Sequence, residues 1–157
     1  MIIIKRVVCV LVAVLLLLVG CGSKPQKLTM DVFELSDLLA NNIVFTDTMS
    51  VLEEDIMLDI FGVDKELVKA QKVYVSTGAT AEEVAVFQAY DNQGATKIYK
   101  ILEKRIEDQK LAFENYVPQE LAKLSTAVLE QRENYVILCI SDYSQNVKDI
   151  IASYILK

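Results

Sequence analysis

The sequence predicts an α+β fold in which a four-stranded, mostly antiparallel sheet carries two long helices on one face. Three observations lead to this class. Two pairs of segments have the residue alternation of β-strands, each pair is followed by a segment with helical spacing of apolar residues, and further helical segments precede the first pair. The resulting order is ββαββα after N-terminal helices, which favours helices packed against one antiparallel sheet.

The N-terminus has the pattern of a secretory signal, and we predict that residues 1–20 are a signal peptide. Lys5 and Arg6 precede an unbroken apolar run from Val7 to Val19, and the small residue Gly20 follows. A positive segment, a short apolar segment and a small residue at the cleavage site are typical of a signal that is removed before the mature protein folds.

The end of this segment resembles the lipobox of bacterial lipoproteins. Its four residues would be the signal-peptidase recognition residues Leu18, Val19 and Gly20, followed by the lipidated Cys21. The resemblance implies cleavage before Cys21, a diacylglycerol on its thiol, and a membrane partner through that lipid. We therefore expect the exported protein to be lipid-anchored at the outer face of the cytoplasmic membrane.

Two alternatives to the lipid anchor fit the sequence less well. A transmembrane anchor requires about 20 apolar residues, and the run from Val7 to Val19 is shorter than that. Release of a soluble product after ordinary cleavage is disfavoured because a cysteine directly follows the Leu-Val-Gly tripeptide.

After the signal, residues 21–28 are predicted to be the lipidated cysteine and a flexible tether, and residues 29–157 a single α+β domain. From Cys21 onward the chain has 14 basic and 22 acidic residues, a net charge of −8. This charge argues against nucleic acid and anionic lipid as partners. Cys139 is the one cysteine left within the domain, so no internal disulfide is expected, and its apolar setting indicates a buried side chain rather than a nucleophile.

The segments before the sheet are predicted to be helices. Apolar residues recur at helical spacing over residues 31–41, with Thr29 or Asp31 available as a cap. A second helix is predicted over residues 53–61, with Gly62 at its end and Asp64 capping one further turn.

The first hairpin is predicted from residues 72–76 and 83–90, joined by residues 77–81. The second of these strands is apolar on both faces, with Val84 and Val86 on one and Ala85 and Phe87 on the other. Such a strand is expected at the centre of a sheet that is covered on both sides.

The longest helix is predicted over residues 95–115, and a short helix over 119–124 follows Pro118. The expected inward stripe of the long helix consists of Ile98, Leu102, Ile106, Phe113 and Tyr116.

The second hairpin is predicted from residues 125–131 and 135–141, with a turn at residues 132–134, and a final helix follows. Asp142 and Gln145 have the spacing of a capping box. Apolar residues then recur at helical spacing at Tyr143, Val147, Ile150, Ile151 and Tyr154.

The run from Gly78 to Phe87 resembles the signature of a bacterial lipoprotein family that is known only as domain of unknown function 4358. The resemblance continues through the long charged helix to Tyr116, Pro118 and Glu120, and along the strand from Tyr135 to Ser141. It implies a small lipoprotein of Gram-positive, Clostridia-type bacteria and supplies no active site. The turn at residues 132–134 departs from the expected glycine, but Asn134 tolerates the left-handed conformation.

The absence of histidine from the whole sequence removes Ser-His-Asp and Cys-His catalysis and most zinc or copper sites. We therefore predict no catalytic residues, no metal site and no cofactor. One acidic run is a candidate for calcium, but it lacks the ligand spacing and turn glycine of a calcium loop, so a solvated helix face is favoured. This run consists of Glu53, Glu54, Asp55 and Asp59.

One possible recognition patch remains, at the mouth of the first hairpin. It comprises Thr77, Thr80, Glu82 and Glu83. The simpler interpretation is that the two acids only keep the start of a strand soluble. The seven tyrosines fall mostly at predicted core positions, so an aromatic binding platform is disfavoured.

Two functional hypotheses follow. The first is a non-catalytic, membrane-anchored module that binds or scaffolds an unknown envelope protein or ligand. The alternative is a carboxylate-dependent envelope hydrolase, which requires two acids about 5–10 Å apart in a pocket. The absence of the usual catalytic residue types favours the binding module.

Overall fold

A five-stranded antiparallel sheet lies at the centre of residues 28–156, the part of the chain that the computed structural model describes. Its strands are β1 (Ser50–Val51), β2 (Val68–Val75), β3 (Glu83–Ala89), β4 (Val128–Arg132) and β5 (Tyr135–Ile140), in the order β1-β2-β3-β5-β4. The short edge strand β1 was not predicted, because two residues are too few to show any alternation. The signal peptide, the lipobox and Cys21 lie outside the described residues.

Five α-helices accompany the sheet in the described part of the chain, which confirms the mixed α+β class. They are α1 (Val32–Asn42), α2 (Glu54–Phe61), α3 (Asn92–Glu114), α4 (Leu121–Ser125) and α5 (Ser144–Ile155). Single 3-10 turns lie at Lys65–Leu67 and Pro118–Glu120. The predicted four strands and the simple ββαββα order do not match exactly, because β1 adds a fifth strand before α2 and the short helix α4, which was expected, separates α3 from β4. No helix within residues 28–156 is long and apolar enough to cross a bilayer.

The centre of the sheet agrees with the sequence pattern. β3 pairs with β2 on one side and with β5 on the other. Val84 and Val86 lie in one core cluster and Ala85 and Phe87 in a second, and all four are fully buried. The predicted central strand covered on both faces is therefore confirmed.

The two long helices lie on opposite faces of the sheet, so the prediction that they share one face is wrong. α3 covers the face that contains Phe87 and Leu138, while α5 and α1 pack together over the face that contains Val86 and Ile137. The physical reason is that β3 and β5 are apolar on both faces, and two long helices on one face would leave the other covered by α1 alone.

The helix α2 also lies on the α3 face, with Met57 and Phe61 buried against it. Two other apolar residues of α2, Ile56 and Ile60, remain exposed, and Tyr116, which the helical spacing placed in the core, is 69% exposed. Four of the seven tyrosines do lie at core positions: Tyr135 is buried, and Tyr74, Tyr99 and Tyr154 are half-buried and pack against the two core clusters.

Most predicted helix ends agree with the structure to within a few residues. Asp31 caps α1 by accepting from the backbone N–H groups of Phe33 (2.8 Å) and Glu34 (3.0 Å). Gly62 ends α2 with a φ of 65°, where a side chain would be strained. α3 begins at Asn92, three residues earlier than expected, because the Asp91 carboxylate accepts from the Gly94 N–H at 2.7 Å.

Two local predictions around the second hairpin are wrong. Asp142 does not cap α5; the helix begins at Ser144 after Tyr143 without a side-chain cap, and the Asp142 carboxylate lies 3.7 Å from Lys123 Nζ. In the turn between β4 and β5, Glu133 rather than Asn134 adopts the left-handed conformation, with a φ of 50°. The Asn134 side chain instead donates to the carbonyl of Ala89.

Candidate functional site

A cleft of about 410 Å³ opens at the end of the sheet where β2 finishes and β3 begins. We call it the sheet-end cleft. Its walls are α2, the second half of α3 and the turn between β2 and β3. The lining residues are Leu52, Ile60, Val75, Ser76, Thr77, Gly78, Thr80, Ala81, Glu82, Glu83, Arg105, Gln109, Ala112, Phe113 and Tyr116. This volume lies within the range of small-molecule sites, about 300–1,000 Å³.

The four residues of the predicted recognition patch all line this cleft. Thr77 and Thr80 belong to the turn, and Glu82 and Glu83 lead into β3. Both glutamates are buried, at 2% and 1% exposure, so the simpler interpretation that they only keep a strand soluble is wrong. Buried carboxylates require partners, and each has its own.

Glu83 is paired with Arg105 of α3. The Arg105 Nε donates to both carboxylate oxygens at 3.1 and 3.0 Å, its Nη2 donates to Oε2 at 2.7 Å, and Gln109 Nε2 adds a bond of 3.3 Å. Burial raises the pKa of Glu83, and the Arg105 charge opposes that rise. The guanidinium also lies 3.9 Å from the ring centre of Phe61, a cation–π contact.

Glu82 is held by a denser set of donors. Its carboxylate accepts from the backbone N–H of Thr46 at 2.9 and 3.0 Å, from that of Asp47 at 3.0 Å, and from Thr80 Oγ1 at 3.0 Å. Burial alone would raise the pKa of Glu82, but these hydrogen bonds and Lys123 together lower it below its usual value.

Lys123 of α4 is the cation that bridges the acidic side chains at this end of the molecule. It is 5% exposed, and its Nζ lies 3.0 Å from Glu82, 3.2 Å from Glu120 and 3.7 Å from Asp142. Desolvation lowers the pKa of Lys123, but hydrogen bonds to the two glutamates outweigh it, and the pKa is raised. We call Lys123, Glu82, Glu120 and Asp142 the Lys123 cluster.

The turn that forms one wall of the cleft is attached to two other segments. Glu120 Oε2 accepts from the backbone N–H of Ala81 at 2.9 Å, which attaches the turn to the start of α4. Asp47 accepts from the backbone N–H of Thr77 at 2.9 Å and from its hydroxyl, which attaches the turn to the segment after α1. The turn is therefore held on both sides.

Sequence reasoning missed four residues of this site, namely Arg105, Gln109, Glu120 and Lys123. A signal for Arg105 was present, because it follows Ile98 and Leu102 at helical spacing and so points toward the sheet. Glu120 and Lys123 are an i,i+3 pair, which usually indicates only a solvated face.

The cleft offers apolar walls, two neighbouring aromatic rings, and carboxylates whose lone pairs are already used. The rings of Phe113 and Tyr116 are 6.3 Å apart, centre to centre.

The candidate calcium run stays exposed on and just before α2, with Glu54 3.3 Å from Lys65. Within residues 28–156 no group of three or more metal-ligating side chains is placed to hold an ion.

Cys139 lies in β5 and is 1% exposed, so we expect no alkylation of the native thiol at pH 8. Burial raises its pKa to about 12. Since the unfolded thiol ionises near its ordinary pKa of 9.0 and the folded thiol does not, stability should fall as pH rises through this window.

The measurement compares urea unfolding of the wild type and Cys139→Ala at pH 8 and pH 11. We expect the wild type to lose more of its free energy of unfolding than the variant over this interval. Equal losses, or rapid alkylation of the native protein, would contradict the buried placement of the thiol.

A comparison with known proteins identifies one family. The model described as Domain of unknown function (DUF4358) matches residues 41–141, which include β1 to β5 and every residue that lines the cleft. This match confirms the resemblance seen in the sequence, while the lipoprotein and Clostridia-type expectations stay predictions. No curated protein and no solved structure matches the chain.

Proposed function

The chain belongs to the family of domain of unknown function 4358, and from this premise we propose that it is a lipid-anchored extracytoplasmic module that binds a ligand or envelope protein without catalysis. The binding site in this proposal is the sheet-end cleft. The anchor is the diacylated Cys21 expected from the lipobox, followed by a short tether.

One observation carries the binding role, namely a preformed cleft whose charged groups are already paired. The Glu83 carboxylate is paired with Arg105, and the Glu82 carboxylate is paired with Lys123 and accepts from backbone N–H groups. The walls that remain for a ligand are mainly apolar and aromatic. Such a site binds through shape and apolar contact, and the ion pairs keep its turn and helices in position.

The hydrolase alternative places its two acids in the same cleft, as Glu82 and Glu83. A general acid or nucleophile needs a carboxylate oxygen directed at the substrate. Here Arg105 and Gln109 donate hydrogen bonds to the Glu83 carboxylate, and the Glu82 carboxylate accepts five hydrogen bonds. These bonds favour binding over hydrolysis.

We expect the cleft to be occupied in the cell, and photo-crosslinking tests this directly. A benzophenone amino acid is placed at Tyr116, which lines the cleft, or at Leu111, which is equally exposed on α3 but lines none of the cleft. Irradiated cells should give an adduct at position 116, protein or small molecule by mass spectrometry, and none at position 111.

A second variant completes this test. Ala112→Phe fills the cleft from an exposed position and should abolish the adduct at position 116 while the protein remains folded. Absence of an adduct at position 116, or its persistence in the Ala112→Phe background, would refute a binding role for the cleft.

The anchor is tested by Cys21→Ala. Since a buried methylene contributes roughly 0.8 kcal/mol and firm attachment takes two acyl chains, the wild type should partition into the detergent phase after phase separation. We expect the variant to lose the lipid mass shift on Cys21. A variant that still carries the lipid would contradict the assignment of this cysteine.

A further inference from the structure

The chain enters the described domain at one end of the sheet. The backbone N–H of Leu28 donates to Glu133 in the β4–β5 turn at 3.4 Å, and that of Met30 donates to the Tyr135 hydroxyl at 3.2 Å. Tyr135 begins β5 and lies opposite the end of β3. Leu28, the last residue of the predicted tether, therefore lies at this end of the domain.

The sheet-end cleft lies at the other end, where β3 begins. β3 contains seven residues, and at about 3.3 Å per residue it separates the two ends by about 20 Å. If the tether is attached to lipid at Cys21, the Leu28 end faces the bilayer and the cleft faces away from it. A ligand that arrives from the lipid phase would therefore meet the end of the domain opposite the cleft.

Exposed apolar side chains continue beyond the cleft. Ile60 and Tyr116 line its mouth and are 54% and 69% exposed, Ile56 lies one turn before Ile60 on α2, and Val51 is exposed beside Leu52. A small molecule within the cleft would leave this rim in water. A rim of isoleucine and tyrosine around an apolar hollow is typical of a protein-binding surface.

The charge around this rim is negative. Glu53, Glu54, Asp55 and Asp59 are all exposed on α2 or at its start, beside Ile56 and Ile60. Lys65 is the one cation paired with them among the described residues, at 3.3 Å from Glu54 and 4.0 Å from Asp55. The excess of carboxylates complements lysine or arginine in a partner.

We infer that the sheet-end cleft is a docking site for a polypeptide segment that inserts an apolar side chain next to lysine or arginine residues, and that it is approached from the side away from the membrane. This inference rests on the proposed function and names its partner class. The apolar side chain fills the cleft, and the basic residues lie along the acidic start of α2.

The test uses the mature lipidated protein in nanodiscs of zwitterionic lipid. Three pools of fluorescent twelve-residue peptides serve as probes: one with a central leucine, phenylalanine or tyrosine flanked by lysines, one with the same centre flanked by glutamates, and one with a central serine flanked by lysines. We expect the first pool to bind at least about tenfold more tightly than either other pool, which corresponds to about 1.4 kcal/mol.

Variants locate the binding. The double variant Ile60→Ser, Tyr116→Ser should weaken binding of the first pool at least about tenfold. Leu111→Ser changes a residue of α3 that is as exposed as Tyr116 and should leave the affinity for this pool unchanged. Replacing Asp55 and Asp59 by lysine should reverse the preference between lysine and glutamate flanks. Equal binding of the three pools, or equal loss in the Leu111→Ser control, overturns the inference.

The orientation has its own readout. Single labels are attached through Tyr90→Cys, at the Leu28 end, or Tyr116→Cys, at the cleft, both exposed by about two thirds, while the native Cys139 is buried. Energy transfer to an acceptor lipid should be stronger from position 90. Equal or stronger energy transfer from position 116 overturns the membrane-distal placement of the cleft. An in-cell adduct at position 116 without binding of the peptides refutes the polypeptide partner class while leaving the proposed function intact.

Discussion

Replacement of Lys123 by methionine is expected to lower the free energy of unfolding by roughly 3–5 kcal/mol, the usual cost of removing one partner from a buried ion pair. The substitution leaves Glu82 and Glu120 buried without their common cation. It also removes the cation on one oxygen of Glu120, whose other oxygen accepts from Ala81 in the turn that forms one wall of the cleft. Urea unfolding followed by circular dichroism at pH 7 measures the loss.

Two comparisons make this expectation specific. Lys104→Met removes an exposed lysine of α3 whose one ion pair within residues 28–156 is with Asp108, and its effect should stay within about 0.5 kcal/mol. Adding Glu82→Gln and Glu120→Gln to Lys123→Met should recover most of the stability, because neutral amides no longer need a cation. A full loss that the two amides do not relieve would show that packing, not charge, is the cause.

Arg105→Met is expected to have a second large effect, again roughly 3–5 kcal/mol at pH 7. Glu83 is 1% exposed and takes three of its four donor contacts from Arg105. The cation–π contact with Phe61 is lost as well. The same urea unfolding experiment measures the change, and the Ile60→Ser variant, whose side chain is exposed, serves as the control.

The pH dependence separates the charge effect from lost packing. Burial already raises the pKa of Glu83, and removal of Arg105 raises it further. Because the folded state then holds a proton that the unfolded state releases above its ordinary pKa, the variant should regain stability as pH falls from 7 to 5. Glu83→Gln in the Arg105→Met background should abolish this pH dependence, and a pH-independent deficit in Arg105→Met would contradict the explanation.

The mixed α+β class and most helix ends could be predicted because they depend on local patterns. Asp31, Gly62 and Asp64 act within a few residues of themselves, and a cap or a left-handed turn is visible in the sequence. The burial of β3 on both faces could also be predicted, since its residues are apolar on both sides. β1 and the start of α5 could not, because one is too short to show a period and the other lacks a side-chain cap.

The candidate site could be predicted only in part. The four patch residues were identified because polar residues cluster at the mouth of a hairpin, and all four line the cleft. Their partners Arg105 and Lys123 come from helices 22 and 41 residues further along the chain. No spacing rule connects residues so far apart, so the sequence could place Arg105 on the inward side of its helix but could not pair it with Glu83, or Lys123 with Glu82.

The sequence by itself determined the mixed α+β class and most of its helices and strands, the charge of the domain, the absence of histidine side chains, and the family membership suggested by the run from Gly78 to Phe87. These properties depend on composition and on neighbours in the chain. Tertiary structure alone decided that α3 and α5 lie on opposite faces, that Tyr116 and Ile60 border a cleft, and that two glutamates are buried with distant cations. The reason is that burial depends on which surfaces meet, and an amphipathic stripe specifies that a face is covered but not by which element.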